Sequence, residues 1–173
     1  MQRSITDRMR GAAMLDVPTY EEVEADTTAT GQAATVVAIV AVCAAIGGAG
    51  HGRAGIIGGL LSAFVGWLIW SGVTYLIGDK LLGGTATWGE LLRTLGFAQA
   101  PGVLYALGII PYVGGFVTAL VWVWTLVAGI IAIHQALDFD TGRAILTAFI
   151  GWLAIVIPMA LLGAFGGVMR AVL

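Results

Sequence analysis

After Gln32 the chain is almost continuously apolar, and this property constrains its fold more than any other. The charged residues beyond that point lie near breaks in the apolar stretches: Arg53, Asp79, Lys80, Glu90, Arg93, Asp138, Asp140, Arg143 and Arg170. Several of the stretches between them are long enough to cross a bilayer, which takes about 20 apolar residues per helix. A soluble domain of 173 residues could not bury so much apolar surface, so we expect a multi-pass membrane protein.

Composition separates the chain into a polar tail and one apolar domain. Hydrophobic residues make up 59% of the sequence and charged residues 10%, whereas ordinary soluble domains carry about 25% charged residues. We assign residues 1–32 to a cytoplasmic or interfacial tail and residues 33–173 to a transmembrane domain. The net charge of −2 gives no basis for binding nucleic acid. Cys43 is the sole cysteine, so the chain cannot form an internal disulfide.

Glycine, proline and charged residues divide the apolar domain into five predicted helices. The predicted fold class is therefore an all-α transmembrane helical bundle with five spans, at residues 30–46, 54–78, 88–107, 116–133 and 144–164. Thr87 and Glu90 have the spacing of a capping box, which would start the third helix. Pro101 should kink that helix because proline removes one backbone hydrogen bond.

The distribution of Lys and Arg predicts which side of the membrane each end occupies. With the N-terminus inside, the inner side carries six of these residues: Arg3, Arg8, Arg10, Lys80, Arg93 and Arg143. The outer side carries only Arg53 and Arg170. The excess of positive charge predicts an N-in, C-out arrangement in the plasma membrane.

The polar tail contains two short predicted helices. In the first, Ile5, Met9 and Ala12 or Ala13 fall at helical spacing, which is typical of a short amphipathic segment on a membrane surface. The second begins near Pro18, because proline is tolerated in the first turn.

The second tail helix carries a cluster of carboxylates, and Tyr20 and Val23 share its apolar face. A basic, partly apolar partner would be complementary to this surface, although an exposed solubilising face would have the same composition. The candidate docking residues are Tyr20, Glu21, Glu22, Glu24 and Asp26.

Small residues four positions apart predict close helix packing. Such spacing lets two helix backbones approach each other in a membrane. The candidate packing residues are Gly55, Gly59, Gly163 and Gly167.

Four polar or kink-forming residues in the third predicted span are candidates for function. Glu90 and Arg93 could form a buried polar switch, but we favour an interfacial ion pair in which Arg93 reaches toward the membrane surface. Gln99 and Pro101 could line a substrate path at a broken helix, but we favour a packed kink whose freed carbonyl is satisfied by a neighbouring helix.

Motifs for catalysis and metal binding are missing from the sequence. No serine lies in a Gly-x-Ser-x-Gly motif, and no His-Glu-x-x-His or phosphate-loop motif occurs. His134, Asp138 and Asp140 could contribute to a metal site, but such sites need three or four ligands in a defined geometry and no others suggest themselves. We therefore predict no enzyme activity, catalytic residue, bound metal or cofactor.

Three stretches of the chain resemble the prokaryotic members of the Yip family of Ypt/Rab-interacting multi-pass membrane proteins. The first is the pre-membrane segment at residues 15–26 (LDVPTYEEVEAD) and 29–33 (ATGQA). The second is the central segment at residues 88–101 (WGELLRTLGFAQAP). The third is the exit from the fourth helix at residues 132–136 (AIHQA), with its restart at Arg143.

This resemblance covers nearly the whole chain and implies five helices with a cytoplasmic N-terminus. In eukaryotic members it also implies binding of prenylated Rab GTPases and a role in vesicle traffic. The present sequence lacks the Asp-Leu-Tyr-Gly-Pro tail element of those members, which argues against binding of a Rab-type GTPase. We expect the partners to be the lipid bilayer and other membrane proteins or a second copy of the chain.

The leading functional hypothesis is a membrane organiser or adaptor of the Yip type that acts through helix packing and its acidic tail. One alternative is a small transporter or channel built around the kink between Gln99 and Pro101. Another is an accessory subunit of a larger membrane complex. A closed, dry bundle would favour the adaptor or the accessory subunit, whereas a polar cavity reaching Gln99 would favour the transporter.

Overall fold

The computed structural model describes residues 3–48, 56–154 and 157, and this part of the chain is helical without a β-strand. The longer helices are α1 (Ile5–Ala13), α2 (Val17–Ala25), α3 (Thr30–Gly47), α4 (Ile56–Tyr75), α5 (Trp88–Phe97), α6 (Gly114–Ala136) and α7 (Thr141–Ala154). Shorter irregular helices adjoin them: a 3₁₀ turn at Thr27–Ala29, a π-helix at Leu76–Leu81 and a 3₁₀ helix at Ala100–Ile109.

Three of the described helices are long and apolar enough to cross a membrane, namely Thr27–Gly47, Ile57–Leu81 and Gly114–Ala136. The 3₁₀ helix Ala100–Ile109 and α7 are apolar but shorter. Each of the five predicted segments thus contains an apolar helix, and the all-helical fold class is confirmed. The part of the fifth segment after residue 154 lies almost entirely outside the described residues.

The third predicted span is built from two helices rather than one kinked helix. Helix α5 starts at the predicted capping box: Glu90 N donates to Thr87 Oγ1 (3.3 Å), and Thr87 N donates to Glu90 Oε2 (2.7 Å). It ends at Phe97, and Pro101 lies in the first turn of the 3₁₀ helix that follows. Proline is tolerated in that position because its missing N–H would have no partner there.

Glycines at the centre of the molecule let α3 approach α5 and the 3₁₀ helix. A Cβ added at Gly96 would lie 2.8 Å from the Ala33 Cβ, and one added at Gly102 would lie 2.6 Å from Val40 Cγ1. A Cβ at Gly47 would overlap the carbonyl oxygen of Tyr105. None of these glycines was among the predicted packing residues.

The predicted packing glycines have a different environment. Gly59 faces open space within the chain, because a Cβ added there would meet no heavy atom within 4 Å. A packing role for Gly59 would therefore require a contact with another chain. Gly55, Gly163 and Gly167 lie outside the described residues.

Helices α1 and α2 form a hairpin that packs on the bundle. The hairpin turns at Met14–Asp16, where Leu15 has a φ of 61°. Helix α1 lies against the 3₁₀ helix, and α2 lies against α5 and α6. Ala12 is buried, and Ile5 and Met9 pack against the same core. The predicted amphipathic helix therefore forms, but its apolar face contacts protein instead of lying on the membrane.

Candidate functional site

Arg8 joins both helices of the hairpin to the first turn of α3. Its side chain is only 1% exposed. Its guanidinium donates to Glu22 Oε1 (2.9 and 3.2 Å), Asp26 Oδ2 (2.6 Å) and Gln32 Oε1 (2.9 Å). A buried guanidinium needs such partners because an unpaired charge in the interior is strongly disfavoured. Two of the predicted docking carboxylates, Glu22 and Asp26, thus face inward toward Arg8.

Asp26 stays ionised in this cluster. Hydrogen bonds from the Thr28 side chain and from Arg8 lower the pKa of the Asp26 carboxyl to about 2. Its other role is structural, because it also accepts a hydrogen bond from the Thr28 backbone N–H (2.9 Å) at the start of the 3₁₀ turn. The carboxylate is therefore occupied by contacts within the chain.

Arg93 of α5 also contacts the C-terminal end of α2 and is buried, at 5% exposure. Its Nε donates to the carbonyl oxygens of Val23 (2.9 Å) and Glu24 (3.1 Å), and Nη2 donates to Glu24 as well. These carbonyls belong to the last turn of α2, where a cation also interacts favourably with the helix dipole.

The position of Arg93 corrects the predicted ion pair with Glu90. Among the described residues no ion pair joins Glu90 to Arg93, because Arg93 donates to the carbonyl oxygens of Val23 and Glu24 instead. Glu90 instead completes the capping box of α5. The physical reason is that the carbonyls of the last turn of α2 have no partner within the helix and can accept from Arg93, whereas the Glu90 carboxylate accepts from Thr87 N.

Three carboxylates from different elements influence one another beside Arg93. Burial, followed by the negative charges of Glu90 and Asp138, raises the pKa of Glu24 to about 7, and Arg93 opposes this rise. Asp138 also accepts a hydrogen bond from Thr85 Oγ1 (2.9 Å). The end of α2, the start of α5 and the residues after α6 therefore meet at one end of the molecule.

Tyr20 is fully buried, which corrects the prediction that it forms an apolar ridge for a partner. Its hydroxyl donates to the Ala12 carbonyl (2.9 Å), and burial raises the pKa of the phenol. Val23 is fully buried beside it. Of the five predicted docking residues, only Glu21 is exposed, because the apolar face of α2 packs on the bundle and Glu22 and Asp26 face buried Arg8.

An apolar groove of about 420 Å³ lies between α4, α6 and α7 and reaches Gln99. Trp67, Trp70, Trp122 and Trp152 line it, together with aliphatic side chains. Trp67 is fixed in place because its Nε1 donates to the Leu92 carbonyl (3.0 Å). The bundle is thus not closed at this level, but the cavity at Gln99 is mainly apolar rather than polar.

The hypothetical metal ligands have separate environments. Asp138 bonds to Thr85, Asp140 pairs with Arg143 (3.5 Å), and the ring of His134 contacts the amide of Gln135 (3.1 Å). Within residues 3–48 and 56–154, no three His, Cys, Asp or Glu side chains come together as a metal site would require.

Sequence reasoning missed the structural role of Arg8, although a signal was present. Arg8 lies three residues after Ile5 and four before Ala12, so helical spacing places it on the apolar face of α1. A cation on an apolar face that packs against protein needs acidic partners, and the carboxylates of α2 were available. The groove had no comparable signal because its tryptophans come from three distant helices.

Comparison with known proteins gives one match. A family model described as Yip1 domain matches residues 14–162 of the chain. The matched region includes α2, Arg93 and the groove, whereas α1 with Arg8 precedes it. No curated protein and no solved structure gives a significant match.

Proposed function

The chain belongs to the Yip1-domain family of membrane proteins, and on this premise we propose that it is a non-enzymatic membrane adaptor. The single observation that carries the proposal is the docked hairpin. Buried Arg8 and Arg93 both hold the C-terminal end of α2, through residues 22–26, so the polar tail is a rigid platform on the bundle rather than a loose segment. A rigid platform loses little conformational entropy when a partner binds.

The exposed charges of this platform define the partner that it suits. Asp7 and Arg10 on α1 and Glu21 on α2 are exposed. We propose that Glu21 contacts a basic surface on another membrane protein or on a second copy of the chain. Charge complementarity of this kind raises association rates and selects the partner.

We also propose five spans with the N-terminus inside and the C-terminus outside, in the plasma membrane. The meeting of α2, the start of α5 and the end of α6 at one end supports this arrangement, because α5 with its 3₁₀ helix and α6 then run in opposite directions. Reporter fusions at residues 83 and 140 should give cytoplasmic signals, and a fusion at Leu173 an external one. A cytoplasmic signal at Leu173 would contradict an odd number of crossings.

Exchange of single exposed residues tests the adaptor proposal. Glu21→Lys should reduce recovery of co-purified membrane proteins from mild detergent, while the protein itself stays folded. Thr141→Lys is the matched control, because Thr141 is also exposed and lies on the same proposed side. Equal recovery with both variants would place recognition within the membrane and favour the accessory-subunit alternative.

The groove supports a second candidate function, the carriage of a small apolar or amphipathic molecule. Its tryptophan-lined walls and the amide of Gln99 at one side could hold an apolar body with one polar group. Gly66 lies in the wall with open space beside it, so Gly66→Leu should fill part of the groove. Titration with a fatty acid should change the tryptophan fluorescence of the parent protein. Absence of that change in Gly66→Leu would support this candidate.

A further inference from the structure

We propose that the groove lined by Trp67, Trp70, Trp122 and Trp152 (the tryptophan groove) and a second cavity beside it form one binding site for a neutral single-chain lipid of the monoacylglycerol class. The hydrocarbon chain lies in the groove, and the glycerol hydroxyls lie in the second cavity. The inference rests on the carriage function proposed for the groove. It deepens that function, because it names the class of ligand and places its polar end away from Gln99.

The second cavity, here the glycine cavity, lies between the end of α3, the 3₁₀ helix Ala100–Ile109 and the start of α6. Its volume is about 450 Å³, and five of the eight described residues that line it are glycines. A Cβ added at Gly115 in this lining would meet no heavy atom within 4 Å. Because glycine lets a ligand approach the backbone closely, the cavity has room for a small polar head.

The glycine cavity and the tryptophan groove adjoin each other, because Tyr105 lines both. On α3, Val40 lines the groove and Ala44, one helical turn further on, lines the cavity. On α6, Thr118 lines the cavity and Trp122, again one turn away, lines the groove. The two spaces therefore follow each other along the same two helices, and one ligand that passes Tyr105 occupies both.

The glycine cavity lies at the ends of two candidate spans. Gly47 is the last residue of the span Thr27–Gly47, and Gly114 is the first residue of the span Gly114–Ala136. The ends of a spanning helix lie where the hydrocarbon core meets the headgroups. This cavity is therefore at the depth of a lipid head, whereas the groove extends from it into the depth of the chains.

The length and volume of the site suit one hydrocarbon chain. Thr118 in the glycine cavity and Ile133 in the tryptophan groove lie on the same helix, about 22 Å apart at a rise of 1.5 Å per residue. This distance exceeds half of the hydrocarbon core, which is about 30 Å thick. The groove volume of about 420 Å³ is near the lower end of the range for small-molecule pockets, about 300–1,000 Å³, which favours one chain over two.

The chemistry of the lining favours an uncharged head. The described residues that line the two spaces include no charged side chain, and an ion without a partner is strongly disfavoured away from water. Tyr105 and Thr118 bring hydroxyl groups to the glycine cavity, and the Tyr105 side chain hydrogen-bonds to that of Thr125. A hydroxyl both donates and accepts hydrogen bonds, so these groups match the hydroxyls of a glycerol head.

Two ligands with the same chain and different heads test the proposal. The protein in an uncharged detergent is titrated with 1-monooleoylglycerol or with oleyl sulfate, whose head stays ionised, and tryptophan fluorescence reports binding. Monooleoylglycerol should bind at least about tenfold more tightly, because only the sulfate brings an unpaired charge to the site. Equal or tighter binding of oleyl sulfate would overturn the proposal.

Substitutions separate the head from the chain. Gly115→Leu should fill the glycine cavity and lower the affinity for monooleoylglycerol at least about fivefold, but not the affinity for 1-octadecene, which has no polar head. Gly31→Leu is the matched control, because Gly31 is exposed, has open space at its Cβ position and lines neither space. Thr118→Val keeps the side-chain shape and should by itself weaken monooleoylglycerol about two- to tenfold through the lost hydroxyl.

The results distinguish this site from the carriage function of the groove. If monooleoylglycerol and a fatty acid change the fluorescence of the parent, but Gly115→Leu and Thr118→Val bind monooleoylglycerol as Gly31→Leu does, the head lies elsewhere. The proposal is then wrong and carriage by the groove stands. If no ligand changes the fluorescence of the parent, the carriage function fails and the proposal fails with it.

Discussion

The N-terminal hairpin and α6 differ in the side chains that they bury. In the hairpin the largest fully buried side chains are Arg8 and Tyr20, and both make hydrogen bonds within the chain. In α6 the small residues Ala128 and Ala132 are buried beside Val121 and Ile133, while Phe116 and other large apolar side chains face outward.

This difference follows from the solvent around each region. Lipid solvates large apolar side chains as well as a protein interior does, so spanning helices gain more from small residues that allow close backbone contact. Such contacts do little to specify how a polar hairpin sits on the bundle. Hydrogen bonds from Arg8 and Arg93 are directional and specify the position of the C-terminal end of α2.

Removal of the Arg8 guanidinium should have the largest effect. Arg8→Met keeps most of the side-chain volume but leaves Glu22 and Asp26 facing an uncharged group. Loss of one partner of a buried ion pair costs about 3–5 kcal/mol. Hydrogen exchange in detergent should become faster in α1 and α2 and stay unchanged in α3 and α6.

Arg10→Met is the matched control, because Arg10 lies two residues away and is exposed. It should leave hydrogen exchange in detergent unchanged. Equal protection of the hairpin in the Arg8 and Arg10 variants would show that the buried charges do not hold it.

Close backbone contact in the bundle should give an intermediate effect. Gly47→Ala places a Cβ against the carbonyl oxygen of Tyr105, and backbone cannot move aside as a side chain can. Overpacking of this kind costs about 1–3 kcal/mol, which would appear as a lower thermal midpoint in detergent.

Gly59→Ala is the control for this substitution, because its Cβ meets open space and alanine favours a helix. It should not lower the thermal midpoint of the single chain. If Gly59→Leu nevertheless changes the oligomeric state on size exclusion, Gly59 packs between copies. A lower midpoint for Gly59→Ala than for Gly47→Ala would contradict the close approach at Tyr105.

The smallest expected effect is a pH dependence of the hairpin. The pKa of Glu24 in the folded protein is raised to about 7, so the folded state binds this proton more tightly than the unfolded state. The contribution of protonated Glu24 to the free energy of unfolding is present at low pH and is lost as the pH rises toward 7. Limited proteolysis of the hairpin should therefore become faster from pH 5 to pH 8.

Glu24→Gln isolates this titration. The variant should show no such change between pH 5 and pH 8, and Asp26, whose pKa is lowered to about 2, does not titrate in that range. The same pH dependence in Glu24→Gln and in the parent would assign the effect to another group.

Local rules predicted the helical elements well. The capping box at Thr87 and Glu90 and a helix beginning near Pro18 are confirmed, because each depends on neighbouring backbone groups. The predicted kink at Pro101 is wrong, since α5 ends at Phe97 and Pro101 lies in the first turn of the next helix. Hydropathy alone was sufficient for the membrane class. Span number was harder, because hydropathy does not show that Ala100–Ile109 is a short 3₁₀ helix in contact with α3.

The sequence by itself determined that this chain is an all-helical membrane protein, because composition and local spacing carry that information. Its membership of the Yip family rests on the resemblance of whole stretches of sequence to that family. Only the tertiary structure decided that Tyr20 is buried, that Arg8 binds Glu22 and that Arg93 holds the end of α2. Helical periodicity shows which side chains share a face, but not which other element that face meets. Those contacts join residues up to 70 positions apart, so they depend on how the helices pack.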